Sequence, residues 1–333
     1  MSAAPLAVVT GGAGFIGSHM VDLLLGEGCR VHVIDNLSGG RRENLAHVAS
    51  HPRLRVELKD LRELRRDDAL FSGAQYVFHF AGIGDIVPSI NHPVEYLSAN
   101  VMGTIHALEA ARQANVEKFV YAASSSCYGF ATELPTTEQA PVSPHYPYAL
   151  SKYLGEEAVL HWGRVYRLPV VSMRIFNAYG PRSRTTGAYG AVFGVFLAQK
   201  LNGKPFTVVG DGAQRRDFVF ATDLTRAFFL AAQSNRSQTV YNVGAGQPQS
   251  VNRLVELLGG DVVHVPKRPG EPDCTWADIA KIQRELGWEP RVSFEGGVAQ
   301  MLCHIEHWRQ APVWDPASIH EATKAWFAAL EPA

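Results

Sequence analysis

Short apolar runs alternate along the first half of the chain with stretches whose apolar residues recur at helical spacing. LAVVT (6–10), RVHVID (30–35), LRVELKD (54–60), YVFHFAG (76–82), KFVYAAS (118–124) and PVVSMRIF (169–176) have the length and composition of strands. Between them, SHMVDLLLGEG, LRELRRDDALF, NVMGTIHALEAARQA and YALSKYLGEEAVLHWGRVY carry their apolar residues at helical spacing. This alternation predicts an α/β fold built on a parallel, doubly wound sheet. Most of the strands are apolar throughout, as required where helices cover both faces. After about residue 180 the rhythm breaks into Gly- and Pro-rich loops, with helices expected near 190–202, 222–234, 250–258 and 294–309. That pattern reads as a smaller α/β region resting on the first. In the tail, SIHEATKAWFAALEP places Ile319, Ala322, Trp326 and Leu330 at the spacing of a short amphipathic helix, for which packing is the expected role.

Composition narrows the class. The 333 residues are 46% hydrophobic and 19% charged, with 31 Lys+Arg against 32 Asp+Glu. Such a near-neutral balance argues against a nucleic-acid or membrane-surface partner. No basic leader precedes the first strand, and no apolar run approaches the ~18–20 residues of a bilayer span. Cys29, Cys127, Cys274 and Cys303 are scattered without a C-x-x-C spacing. They suggest a reducing compartment and no metal site, with the cytoplasm as the expected location.

Chemistry enters at TGGAGFIGSH, residues 10–19. Gly11, Gly14 and Gly17 follow the first strand and open the first helix, and Gly12, Gly14 and Gly17 satisfy G-x-G-x-x-G. Glycines there allow a tight turn and a close backbone approach, which places a pyrophosphate at the positive helix N-terminus. Asp35 ends the second strand about 20 residues later, where a carboxylate accepts hydrogen bonds from a ribose 2′-hydroxyl and repels a 2′-phosphate. A Rossmann domain binding NAD rather than NADP is therefore expected over residues 1–176. Arg41 and Arg42 are read as solvated. In HYPYALSKYLGEE, Tyr148 and Lys152 stand one helical turn apart on a shared face. A nearby ammonium favours phenolate and would make a general base from a group that ordinarily titrates near about 10. Ser124 lies just past the carboxyl end of the fifth strand, where doubly wound sheets bind ligands.

TGGAGFIG, Asp35, Asp60-Leu61, HFAG (79–82), SSSCYG (124–129), YALSK (148–152), RIFNAYGPR (174–182) and GDGAQRRDF (210–218) follow one another in an order that resembles the extended short-chain dehydrogenase/reductases acting on nucleotide sugars. Within that family the chain is most similar to UDP-hexose and UDP-N-acetylhexosamine 4-epimerases. The resemblance implies a catalytic set of Tyr148, Lys152 and Ser124. It implies an NAD site formed by Gly11, Gly14, Phe15, Ile16, Gly17, Asp35, Asn36, Ser38, Gly39, Asp60, Leu61, Ala81, Gly82 and Asn100, with Tyr148 and Lys152 closing it. Ser125, Ser126, Asn177, Arg184, Arg216, Arg268, Glu271 and Thr275 would meet the nucleotide sugar. Asn177, Arg216 and Arg268 would face the diphosphate, with Glu271 or Asp273 near the ribose. Residues 177–311 would form the nucleotide-sugar region, partly interleaved with the first, and 312–333 a C-terminal extension. Helices 100–114 and 148–162 would pair across a two-fold axis as a four-helix bundle in a homodimer.

The implied reaction is epimerisation at C4 through a transient 4-keto sugar. A 4,6-dehydratase is the chief rival, but after the serine that branch typically carries an Asp-Glu pair, where this chain has Ser125 and Ser126. Cys127 could act as an acid or base, although a cysteine at a strand end more often packs. A UDP-glucuronate 4-epimerase, with Arg184 meeting a carboxylate, and a non-catalytic dinucleotide sensor are the other readings. The resemblance also implies that Thr275 borders the sugar's second carbon; it has no ring to fill that space, so an N-acetyl group should be admitted.

Overall fold

The computed structural model describes residues 4–183 and 191–330. The chain runs β1 (Leu6–Thr10), α1 (Phe15–Gly26), β2 (Arg30–Asp35), β3 (Leu54–Leu58), β4 (Tyr76–His79), α2 (Pro93–Leu97), α3 (Gly103–Gln113), β5 (Lys118–Ser124), α4 (Pro147–Tyr166), β6 (Val170–Ile175), β7 (Asn177–Tyr179), α5 (Val192–Leu201), β8 (Phe206–Val209), β9 (Arg215–Arg216), β10 (Phe218–Phe220), α6 (Ala221–Gln233), β11 (Thr239–Val243), β12 (Gln249–Ser250), α7 (Val251–Leu258), β13 (Val262–Val265), α8 (Ala280–Leu286), α9 (Phe294–Cys303) and α10 (Pro316–Leu330).

Seven parallel strands form the central sheet in the order β11-β6-β5-β4-β1-β2-β3. Alternate side chains of β1 serve opposite faces. Ala7 and Val9 join Met20 and Leu24 of α1 and Phe228 of α6, whereas Leu6 and Val8 join Ala107 and Leu108 of α3 and Val159 of α4. This double coverage explains why the strands read as apolar without alternation. The chain winds outward from β1 to β3 and then returns to β4 on the other side. A crevice therefore opens at the carboxyl ends of β1 and β4, the switch point where such sheets bind ligands.

Two segments of the first half differ from the periodicity. LRELRRDDALF forms no helix but two short 3₁₀ turns, Leu61–Glu63 and Ala69–Phe71. The Asp60 and Asp68 carboxylates each accept from the backbone N–H two residues on, at Arg62 and Leu70, offering the chain a turn in place of a helical ladder. The helix expected to begin at 100 starts earlier, at Pro93, and passes through a π-helical turn at Ser98–Met102 before α3. Pro93 is tolerated there because the first helical residue needs no N–H partner.

Beyond residue 176, β11 returns to the sheet, while β7 with β10, β8 with β13 and β9 with β12 form small pairs outside it. A second core of Phe193, Phe196, Phe206, Phe218, Phe220 and Trp308 lies under them. The stretch expected as one helix over 294–309 is α9 followed by a 3₁₀ turn, Ile305–Trp308. Among the described residues no helix is long and apolar enough to cross a membrane.

Candidate active site

The turn between β1 and α1 is built around glycine. Gly11 has φ +69°, and a Cβ there would fall 2.7 Å from the backbone N of Ala81. A Cβ on Gly17 would stand 2.1 Å from the Gly11 carbonyl oxygen, so α1 begins pressed against the turn. No side chain caps α1 at Gly14, leaving its first N–H groups for another acceptor. Phe15 and Ile16 bring backbone to this end while their rings and methyls pack inward, Phe15 near Gly180 and Ile16 on the core.

Asp35 is buried at the end of β2, where its carboxylate accepts from Ala13 N at 2.9 Å and Leu37 N at 2.8 Å. Burial pushes its pKa up against those two bonds. Asn36 donates to Asp60 at 2.9 Å and accepts from the Ser38 hydroxyl at 2.7 Å. Hydrogen bonds from Arg62 hold Asp60 well below the usual carboxylate range. Gly39 is exposed with open space about it, and Leu61 is buried behind this rim. Across β4, Gly82 (φ +152°) leaves room for the Asn100 carboxamide, which would lie 2.6 Å from a Cβ. Asn100, inside the π-helical turn, accepts from Ile83 N at 2.7 Å and donates to Ser151 at 2.9 Å. The structure thus places Asp35, Asn36, Asp60, Ala81, Gly82 and Asn100 around the carboxyl edge of β1, β2 and β4.

Tyr148 and Lys152 lie in the first turns of α4 as the spacing requires. The Tyr148 hydroxyl is hydrogen-bonded to Ser124 at the end of β5. Ser124 in turn accepts from Ser126 N at 3.2 Å and hydrogen-bonds the Ser126 hydroxyl. One expectation needs correction: the Tyr148 pKa is raised rather than lowered. Burial raises it, the Ser124 bond opposes this, and Asp85 adds to the rise. The reason is that both groups are dehydrated. The Lys152 ammonium lies 4.6 Å above the Tyr121 ring, and burial pushes its pKa down to about 8 against the pull of Glu156. Glu156 is tied to Arg174 at 2.6 Å and Ser172 at 2.8 Å, which fastens α4 to β6. Cys127 packs in a small core with Tyr128 and Phe176, and burial raises its thiol to about 12. It is a packed side chain.

On the facing side, Arg216 and Arg268 both reach Glu271, at 3.6 and 3.0 Å. With Gly210, Gln214 and Asp273 they line a cavity of about 460 Å³. Lys267 pairs with Asp273 at the exposed lip. Asn177 accepts from the Thr275 hydroxyl at 2.8 Å. Neighbouring Asp217, raised to about 6 by burial, accepts backbone N–H groups of Ala245, Gly246 and Ala277. Arg184 lies outside the described residues. Ser125 sits beside Ser126 in the turn that follows Ser124. Sequence reasoning overlooked Tyr146, the residue at the N-terminal end of α4. Its hydroxyl bonds Ser126 and feels the charges of Tyr148, Glu271 and Arg216. Its position two residues ahead of Tyr148 was the available signal. Among the described residues no three His, Cys, Asp or Glu are grouped to hold a metal.

The Ser124–Tyr148 hydroxyl pair thus stands at the carboxyl end of β5, and Tyr146, two residues before Tyr148, lies close enough to feel Glu271 and Arg216 of the guanidinium-lined cavity. Residues 8–301 match a family model described as GDP-mannose 4,6 dehydratase. A putative UDP-glucose 4-epimerase of Methanocaldococcus jannaschii is 33% identical over 305 residues, 89% of this chain and 97% of that protein. A solved UDP-N-acetylglucosamine 4-epimerase of Methanobrevibacter ruminantium, in complex with UDP-N-acetylmuramic acid, superposes with a TM-score of 0.86 at 31% identity, covering 91% of this chain and 98% of that one. A dTDP-glucose 4,6-dehydratase of Streptomyces venezuelae with NAD bound gives 0.84 at 32% identity, covering 92% and 97%.

Proposed function

We propose that this chain, which belongs to the GDP-mannose 4,6-dehydratase family of extended short-chain dehydrogenase/reductases, is an NAD-dependent 4-epimerase of a nucleotide-activated hexose. The observation that carries the reading is the make-up of the turn after β5. Ser124 bonds Tyr148, Ser125 and Ser126 follow it where a carboxylate pair would be needed, and the buried Cys127 keeps its proton at neutral pH. Epimerisation needs one proton acceptor at the 4-hydroxyl. Dehydration needs a further acid and base for the C5–C6 elimination, and hydroxyls serve poorly there. Solved and curated relatives include both reaction types, so the serine turn is the discriminating feature.

The residues fit NAD. The uncapped start of α1 and the absence of any Cβ at Gly11 and Gly14 leave backbone N–H groups for a pyrophosphate. Asp35 would read the ribose and Asp60 and Leu61 the adenine, while Lys152 would hold the nicotinamide ribose. When bound there, NAD would supply a hydride acceptor and donor at the sugar's C4 and a positive charge that would favour phenolate at Tyr148. Tyr148 accepts the 4-hydroxyl proton, and Ser124 hydrogen-bonds the same oxygen as it becomes a carbonyl. The proton goes back from Tyr148 once the 4-keto sugar has presented its other face. Arg216 and Arg268 carry two positive charges against the one of Glu271, and their forked donors suit a diphosphate. Held at that end, the sugar can turn at the other without leaving. Thr275 and Asn177 border it.

The test is a panel of UDP-, dTDP- and GDP-hexoses followed by proton NMR. The C4 epimer of at least one should accumulate to equilibrium without consuming cofactor. Tyr148→Phe should keep bound NAD and lose about 10²–10⁴-fold in kcat. Near-normal turnover by that variant would overturn the assignment of the base.

A further inference from the structure

The last helix, α10, lies beyond residue 301, where the family match stops. Its first half is anchored in the second core by Ile319. Further along, it meets the 3₁₀ turn Val87–Ile90 that follows β4, on the side of the sheet. Trp326 is buried, and its ring centroid lies 5.0 Å from that of Tyr146. Its indole N–H donates to the Pro269 carbonyl at 2.8 Å. Leu330 closes over Gly270, whose φ of +75° turns the chain between Arg268 and Glu271. One helix therefore touches the residue that caps α4 and the turn that carries the guanidinium–carboxylate group.

We propose that α10 is the outer wall of the substrate site, with Trp326 a positioning residue that fixes Tyr146 and the Arg268–Glu271 turn together. Tyr146 then contacts the hexose between its reacting carbon and the diphosphate. This rests on the nucleotide-hexose reading above. The geometry supplies the reason. Tyr146 stands in extended conformation (φ −147°, ψ 161°) two residues before Tyr148, with its hydroxyl on Ser126. A ring held there by packing loses little rotamer freedom when a ligand arrives, which favours binding. Without the indole, the Pro269 carbonyl loses its donor and the turn its brace, while Ser124 still accepts from the Ser126 backbone N–H and bonds Tyr148.

The test compares Trp326→Ala, Trp326→Phe, Tyr146→Phe and Tyr146→Ala in the full chain, alone and combined, on the hexose nucleotide that the wild type turns over best. Trp326→Ala should raise KM about tenfold with a smaller change in kcat, the size expected for one lost anchoring contact. Trp326→Phe keeps the ring against Tyr146 but not the N–H to the Pro269 carbonyl, so it should recover only part of the loss, and it keeps the measurement open should the alanine variant not fold. Tyr146→Phe should raise KM by about three- to tenfold, as for one lost hydrogen bond. In the Tyr146→Ala background, Trp326→Ala should cost less than it does alone, because the two act through one contact. Losses confined to kcat, or full additivity of the two, would overturn the proposal. A wild type that converts no sugar contradicts the epimerase reading instead. The wall is then judged by calorimetric binding of UDP, dTDP and GDP: weaker binding in Trp326→Ala upholds it, and unchanged affinity or no binding by the wild type overturns it.

Discussion

Burial moves the protons of Tyr148 and Lys152 in opposite directions, and both shifts keep the pair uncharged relative to water. The lysine carries a measurable consequence. Its folded pKa of about 8 lies below the ordinary 10.5, so folding releases protons between those values. Stability then rises with pH through that window and is lower on its acid side, where the ammonium is held charged and dehydrated. Lys152→Met should therefore stabilise the cofactor-free protein at pH 7 by on the order of 3 kcal/mol, with the gain vanishing towards pH 10.5, and should abolish turnover. Denaturant unfolding at several pH values checks this; a variant less stable than wild type at pH 7 would contradict it. Thr275 gives a second prediction. Its hydroxyl rests on Asn177, and tyrosine there would project a ring toward the sugar. Thr275→Tyr should lower kcat/KM for an N-acetylhexosamine nucleotide at least about tenfold more than for the plain hexose. Equal losses would remove Thr275 as the gate. The one-turn pairing of Tyr148 and Lys152 on α4 and the glycine turn before α1 were legible because each placement follows from spacing on one element. The sign of the Tyr148 shift was not, since burial of the phenol depends on elements far away in the chain.

At the scale of elements, hydrophobic periodicity located the sheet strands as far as β6 and the crossover helices α1, α3 and α4, because each buries a face and the pattern records it. It failed at 61–71, where aspartate side chains satisfy the backbone locally, and at 93–102, where a proline begins a helix and a π-helical turn delivers Asn100. The pairing of Arg216 and Arg268 on Glu271 was anticipated only as three residues near one ligand; their mutual ion pairs required the tertiary fold. The tail's helical face was legible at Ile319 and Trp326, but its partner, Tyr146, was not. On the π-helical turn leading into α3 and along α4, the exposed Met102, Leu150 and Leu154 leave apolar surface uncovered. We propose that these helices pair with those of a second copy as a four-helix bundle. Light scattering at micromolar concentration should return twice the chain mass, and Leu154→Glu should shift it toward one. A wild-type monomer would contradict the bundle.

For the whole molecule, the arrangement joins two devices across one crevice. The sheet brings the glycine turn, Asp35 and the Ser124–Tyr148 pair to its carboxyl edge, while the smaller pairs β7–β10, β9–β12 and β8–β13 carry Asn177, Arg216 and the strand leading to Lys267. A ligand long enough to span both must carry a reacting alcohol at one end and anionic groups at the other, which describes a nucleotide-activated sugar. The central claim is that the reacting carbon surrenders its hydrogen and takes the same one back. An NDP-hexose deuterated at C4, chosen from those the enzyme converts, tests it most directly when the product is read by NMR and mass spectrometry. The product should be inverted at C4 and keep its deuterium there, with no solvent hydrogen at C5 or C6. A 4-keto-6-deoxy product, or a C4 epimer that has lost its deuterium to solvent, would contradict it.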